Sequence, residues 1–199
     1  MRRLLRSMRR PLGWLLVLIG ASALTWSGFT WGSGQYQRVL RALAIPSTPI
    51  QRTPALGATL GLLEVPRLKL SVAVVEGDDE SSLLEGAGHL PDTPMPWARG
   101  NSVLAGHRDM DFRPLRGIKK GDMVRFRTAD LVADYVVLDT LIVEPSDVSV
   151  LRATARPMLT LITCYPFAYV GPAPKRFVVR AERISPYAGS EDPALRTRF

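Results

Sequence analysis

Three residues in this chain have side chains and neighbours suited to covalent chemistry. Cys164 is the only cysteine among 199 residues, and His107 is one of two histidines. Cys164 ends the apolar run Met158-Leu159-Thr160-Leu161-Ile162-Thr163 and precedes Tyr165-Pro166. A proline cannot continue a central ladder, so the cysteine belongs at the rim of a sheet, where a thiol can meet a substrate. A free cysteine is commonly a small buried hydrophobe. An unpaired thiol in an exported chain asks for a different explanation, and a nucleophile is one.

His107 follows Ser102-Val103-Leu104-Ala105-Gly106, at the end of another expected strand, and Arg108-Asp109 after it mark a loop. Imidazole titrates near about 6.5 and a thiol near about 8.5, so the pair can exchange a proton, and an imidazolium favours the thiolate. Arg176 opens the run Arg176-Phe177-Val178-Val179-Arg180. Its permanently charged, fork-shaped guanidinium suits a substrate carbonyl or a developing oxyanion. Arg180 shares its strand face but lies roughly 13 Å further along at ~3.3 Å per residue, so the two cannot serve one carbonyl. His89, within Gly86-Ala87-Gly88-His89-Leu90-Pro91, reads as part of a tight loop, in a structural role or lining a cleft.

The elements that must position these groups are short strands. Gly61–Val65, Ser71–Glu76, Ser102–Ala105, Met123–Arg127, Tyr135–Val143, Met158–Thr163 and Arg176–Ile184 are rich in Val, Ile, Leu and Phe. Met123-Val124-Arg125-Phe126-Arg127 alternates apolar and polar as a half-buried strand does. Helical turns are expected at Ser81–Gly86 and Phe112–Gly117, and Lys119-Lys120-Gly121-Asp122 reads as a turn. The pattern predicts a mostly β barrel or sandwich with minor helices.

Composition narrows the function classes. With 46% hydrophobic and 22% charged residues, the chain is not a disordered polar polymer. One cysteine excludes an internal disulfide framework and a thiolate-built zinc site. The net charge of +8 suggests nucleic acid at first sight, but five arginines stand in the first ten positions, and without them only +3 remains over the other 189 residues. No aromatic-basic recognition motif accompanies it, so no nucleic-acid partner is expected.

That basic run precedes a stretch, Pro11–Gln37, without a charged residue. Its core, Leu12–Trp31, has about the ~20 residues a helix needs to cross a bilayer. The arginines would stay cytoplasmic and send the remainder outward. A second reading stays open: Leu12–Gly20 followed by Ala21-Ser22-Ala23 also fits a cleaved signal. Both place the rest of the chain outside the cytoplasm. The expected division is a basic tail at 1–10, a transmembrane signal-anchor at 11–33, a proline-bearing linker at 34–58, a catalytic domain at 59–185 and a tail at 186–199.

Leu104-Ala105-Gly106-His107-Arg108, Thr160-Leu161-Ile162-Thr163-Cys164 and Arg176-Phe177-Val178-Val179 together resemble the histidine, nucleophile and arginine motifs of the sortases, a family of cysteine transpeptidases. Tyr165-Pro166-Phe167 and Arg108-Asp109 are similar to the class D and Gram-negative-type branch. The resemblance spans about Gly61–Arg183. It implies a closed eight-stranded β-barrel. Cys164 would be the nucleophile, His107 the general acid and base, and Arg176 the oxyanion or substrate stabiliser. His89, Thr163 and Tyr165 become candidates for the substrate groove.

The implied partners are a protein with a Leu-Pro-x-Thr-Gly-like C-terminal sorting signal, cut between Thr and Gly, and an amine acceptor from a cell-envelope precursor or a protein lysine. The membrane would be engaged through the N-terminal helix. No metal or other cofactor is required by this scheme; Asp78-Asp79-Glu80, the one acidic cluster, reads as a solvated loop. The compact Ser-His-Gly-x-Cys arrangement of L,D-transpeptidases is absent, and papain-like proteases place cysteine before histidine. A membrane-anchored binding module without catalysis is the alternative, in which Cys164 matters only for packing.

Overall fold

A computed structural model describes residues 20–22, 24–25, 54–169 and 171–184. The expected basic tail at 1–10, most of the anchor at 11–33, the linker up to 53 and the tail at 186–199 lie outside the described residues. The chain divides into two units, Met1–Leu40 and Arg41–Phe199. Of the first, residues 20–22 and 24–25 are helical. No helix among the described residues is long and apolar enough to cross a membrane.

The described residues of the second unit form eight strands: β1 (Thr59–Val65), β2 (Leu70–Glu76), β3 (Ala87–His89), β4 (Asn101–Ala105), β5 (Met123–Arg127), β6 (Val132–Val143), β7 (Met158–Tyr165) and β8 (Lys175–Arg183). They close into a barrel in the order β1-β2-β3-β4-β7-β8-β6-β5, with β5 returning to β1. Closure leaves no long unpaired edge. Two pairs, β2 with β3 and β4 with β7, are parallel. A parallel pair needs a crossover; the first runs through the helix α1 (Glu80–Glu85), the second through the β5–β6 hairpin.

The barrel is filled by the inward residues of these strands. Leu63, Val65, Val74, Phe126, Leu159, Leu161 and Val179 are fully enclosed, and Phe112 and Leu115 close one region from the loop after β4. Along β5, Val124 and Phe126 are buried while their neighbours are not, as its alternation predicts. Tyr135 puts its ring in the core and donates its hydroxyl hydrogen to the Pro96 carbonyl. Burial pushes its phenol up to about 12, because the interior penalises the phenolate.

Three local features differ from the expectations. The segment around His89 is a strand, not a tight loop. Its glycines serve close approach: a Cβ on Gly86 would lie 2.3 Å from the Ala73 carbonyl oxygen, and one on Gly88 2.2 Å from that of Gly77. The acidic cluster is not merely solvated, since Asp79 caps α1. Its carboxylate accepts from the Ser81 and Ser82 amides at 3.0 and 3.2 Å, and the serine hydroxyls add to these bonds, so it is held well below the usual carboxylate range. Three short 3-10 turns occur among the described residues, at Pro66–Leu68, Arg113–Gly117 and Val148–Leu151, of which the sequence signals indicate only the second.

Candidate active site

The site begins with a register. β7 and β8 run antiparallel, and Cys164 stands directly opposite Arg176. Opposed residues of an antiparallel pair share a face, with Cβ atoms about 4.5–5.5 Å apart. The face is set by alternation: Leu159, Leu161, Val179 and Ala181 fill the core, so Cys164 and Arg176, one pleat out of phase, belong to the outer face. Both are half-buried.

His107 reaches the same place from the other side of β7. β4 and β7 are in parallel register with Ala105 level with Ile162. Past the last strand residue, the Gly106 amide still donates to the Ile162 carbonyl at 3.1 Å. The Thr163 hydroxyl donates to the Gly106 carbonyl at 2.6 Å. Carried two residues beyond Ala105, this register brings position 107 level with position 164. The chain then turns back, with the His107 carbonyl accepting from the Met110 and Phe112 amides at 3.3 and 3.1 Å. Glycine is required before the histidine because a Cβ on Gly106 would meet the Phe112 ring at 2.7–3.0 Å. Histidine, cysteine and arginine thus come from three adjacent strand ends, in the order β4, β7, β8.

Arg176 is drawn toward its own loop. One guanidinium nitrogen, Nη1, donates to the carbonyls of Ala173 and Lys175 at 3.3 and 3.1 Å. Its Nε and Nη2 make no hydrogen bond to the described residues, so donors remain for a ligand. The arginine is thus held at the base of the loop that carries Pro172 and Pro174.

The other three predicted site residues are placed differently. Thr163 is 3% exposed and uses its hydroxyl on Gly106, so it joins the strands instead of facing a ligand. Tyr165 shares Thr163's face of β7 and packs in an aromatic triangle with Phe167 and Phe177, at centroid distances of 5.2–6.3 Å. His89 is wholly buried. Its Nδ1 lies 2.8 Å from a Glu76 carboxylate oxygen, and its Nε2 lies 3.1 Å from the Pro94 carbonyl and 3.2 Å from the Thr93 hydroxyl. That closes the cleft-lining role and leaves the structural one.

The sequence marks Arg108 as the end of the histidine motif and the start of a loop, without a role of its own. In the structure it donates to three carbonyls of the β7–β8 loop, Pro166 at 3.4 Å, Tyr169 at 2.8 Å and Gly171 at 3.0 Å, and lies 5.7 Å from the Tyr169 ring centroid. Its position beside His107 is the only sequence signal of this. No group of three or more metal-ligating side chains occurs among the described residues.

Residues 63–184 match the family model described as the sortase domain. The chain is 38% identical over 133 residues to sortase D of Bacillus subtilis, covering 66% of this chain and 67% of the relative. Among solved structures it is similar to a sortase D5 transpeptidase of Clostridium perfringens, with a TM-score of 0.60 at 25% identity, covering 66% of this chain and 82% of that one. It is also similar to sortase C of Clostridium perfringens in a structure with the C-terminal cell wall sorting motif, with a TM-score of 0.62 at 26% identity over 69% and 77% of the two chains.

Proposed function

The chain belongs to the sortase family, and from that premise we propose that it is a membrane-anchored cysteine transpeptidase acting on a Leu-Pro-x-Thr-Gly-like C-terminal sorting signal. The observation that carries the reading is the register that sets Cys164 opposite Arg176 and position 107 level with Cys164. Class D is the branch that the 38% identity to a sortase D supports.

In the proposed reaction the Cys164 thiolate attacks the carbonyl carbon of the signal's threonine. The tetrahedral oxyanion forms over the outer face of β7–β8, where the free donors of Arg176 stabilise it; one such donor is worth about 3 kcal/mol in an acyl-transfer transition state. Imidazolium His107 gives its proton to the glycine nitrogen as the C–N bond breaks, leaving a thioester on Cys164. Neutral His107 then removes a proton from an incoming amine. The amine's nitrogen replaces sulfur at the carbonyl, and the thiolate is regenerated. The acceptor is an amine of a cell-envelope precursor or a protein lysine. The uncharged stretch Pro11–Gln37 after five arginines supports anchoring by the N-terminus, with the barrel outside the cytoplasm.

The test is a two-substrate assay in mild detergent, with the full chain, a Leu-Pro-x-Thr-Gly peptide and a panel of amines. Transpeptidation predicts a peptide cut after threonine and joined to one of the amines, and no product from Cys164→Ala. Cleavage retained by Cys164→Ala would reject the reading.

A further inference from the structure

The nine-residue segment from Pro166 to Pro174 joins the nucleophile to the arginine, leaving the ladder at the Tyr165–Lys175 pair. Among the described residues, no main-chain hydrogen bond ties this loop to itself. Its carbonyls are taken up instead by two guanidinium groups. Arg108 holds Pro166, Tyr169 and Gly171, and Arg176 holds Ala173 together with Lys175 at the start of β8. Polar groups of a loop that are not paired within it take their geometry from whatever satisfies them, and among the described residues of this loop that is mainly Arg108.

Arg108 acts from a firm base. The residue before it has its carbonyl in two turn hydrogen bonds, and Gly106 is bound to β7 through both its amide and its carbonyl. The side chain therefore spans from the histidine arm to the hairpin that carries Cys164 and Arg176. We propose that Arg108 is a positioning residue for catalysis: it holds the β7–β8 loop at a fixed distance from His107, and so sets the width of the groove and the approach of Arg176 to the reacting carbonyl. It touches neither the thiol nor the imidazole in this role. Cys164 and His107 are aligned by the β4–β7 register, which does not involve Arg108.

This rests on the transpeptidase reading, and the experiment separates the two. Arg108→Ala, Arg108→Lys and wild type are compared in the full chain by three measurements. Hydrogen exchange of 166–174 reads the loop without any substrate. The pH profile of Cys164 alkylation by iodoacetamide reads the thiol and imidazole. Acylation by a Leu-Pro-x-Thr-Gly peptide reads the groove.

The expected result for Arg108→Ala is faster exchange confined to the loop, an unchanged alkylation profile, and a fall of roughly 30-fold or more in kcat/KM, shared between KM and kcat. Lysine carries a single ammonium and cannot reproduce a fork reaching three carbonyls, so Arg108→Lys recovers only part of the loss. Unchanged loop exchange would overturn the proposal. So would an altered alkylation profile, which would put Arg108 on the thiol–imidazole pair, or a wild-type kcat/KM despite a loosened loop. If wild type itself is not acylated, the transpeptidase reading fails, and a loop loosened in Arg108→Ala would then mark Arg108 as structural and overturn its catalytic role.

Discussion

The hydroxyl of Thr163, the residue before Cys164, donates to the carbonyl of Gly106, the residue before His107, at 2.6 Å. β4 has ended by then, and only the Gly106 amide continues its pairing with β7. The threonine thus supplies from its side chain the bond the ladder no longer makes. It also explains why a hydroxyl residue should precede the cysteine in a buried, otherwise apolar position.

Thr163→Val keeps the shape and removes the donor. It is expected to cost about 1 kcal/mol of stability, the usual worth of one hydrogen bond, and to lower peptide acylation about tenfold or more as His107 loses its fixed place. Thr163→Ser keeps the donor and is expected to stay within a few-fold of wild type. Steady-state kinetics of both variants check this; equal activity in the two would dismiss the bond.

Gly106→Ala tests the other side of the same junction. The added methyl would lie 2.7–3.0 Å from the buried Phe112 ring. Overpacking of this kind costs typically 1–3 kcal/mol. Phe112→Leu in the same chain makes room, so the double variant is expected to be more stable than the sum of the two single losses. Urea unfolding of the four proteins measures the coupling; strict additivity would mean that the clash is relieved elsewhere.

The eight strands were not equally legible. Seven announce themselves as apolar, β-branched runs. β3 does not, because it is only three residues long with a glycine at its centre, and Gly86 before it and Gly88 within it answer to Ala73 and Gly77 on neighbouring backbone. Cys164, His107 and Arg176 became candidates through their strand-end positions taken together with the motifs that carry them, not through either alone. Thr163 and Tyr165 were harder, since alternation puts both on the inner face of β7, one residue either side of an outward cysteine. The capping role of Asp79 was hidden in an acidic run. Nothing in the chain gives the reach of Arg108, whose partners are carbonyls about sixty residues away, and carbonyls leave no trace in residue type.

Alkaline stability should report Tyr135. Its folded-state phenol titrates near 12, against about 10 in the unfolded chain. Its contribution is therefore fully present below pH 10 and is lost as pH rises from there through 12, by on the order of 2 kcal/mol. Tyr135→Phe leaves the Pro96 carbonyl without its donor and should be less stable at pH 8, but should lack this alkaline decline. Urea unfolding between pH 8 and 11.5 compares the two; parallel declines would assign the effect to other groups.

Arg176→Lys and Arg176→Ala separate charge from fork geometry. With Cys164 directly opposite, loss of the guanidinium should lower kcat about 10²-fold or more, while leaving iodoacetamide alkylation of Cys164 in place. Lysine should recover little, because one ammonium cannot hold the loop carbonyls and an oxyanion together. A lysine variant at wild-type rates would reduce Arg176 to a point charge.

Intact-mass spectrometry of the chain after brief exposure to a Leu-Pro-x-Thr-Gly peptide tests the central claim most directly. A covalent thioester predicts a mass gain equal to the peptide up to its threonine less one water. The gain should vanish in Cys164→Ala, accumulate slowly in His107→Ala, and be discharged by a suitable amine. A folded wild-type chain that cuts the peptide without passing through this adduct, or an adduct that survives in Cys164→Ala, would contradict it.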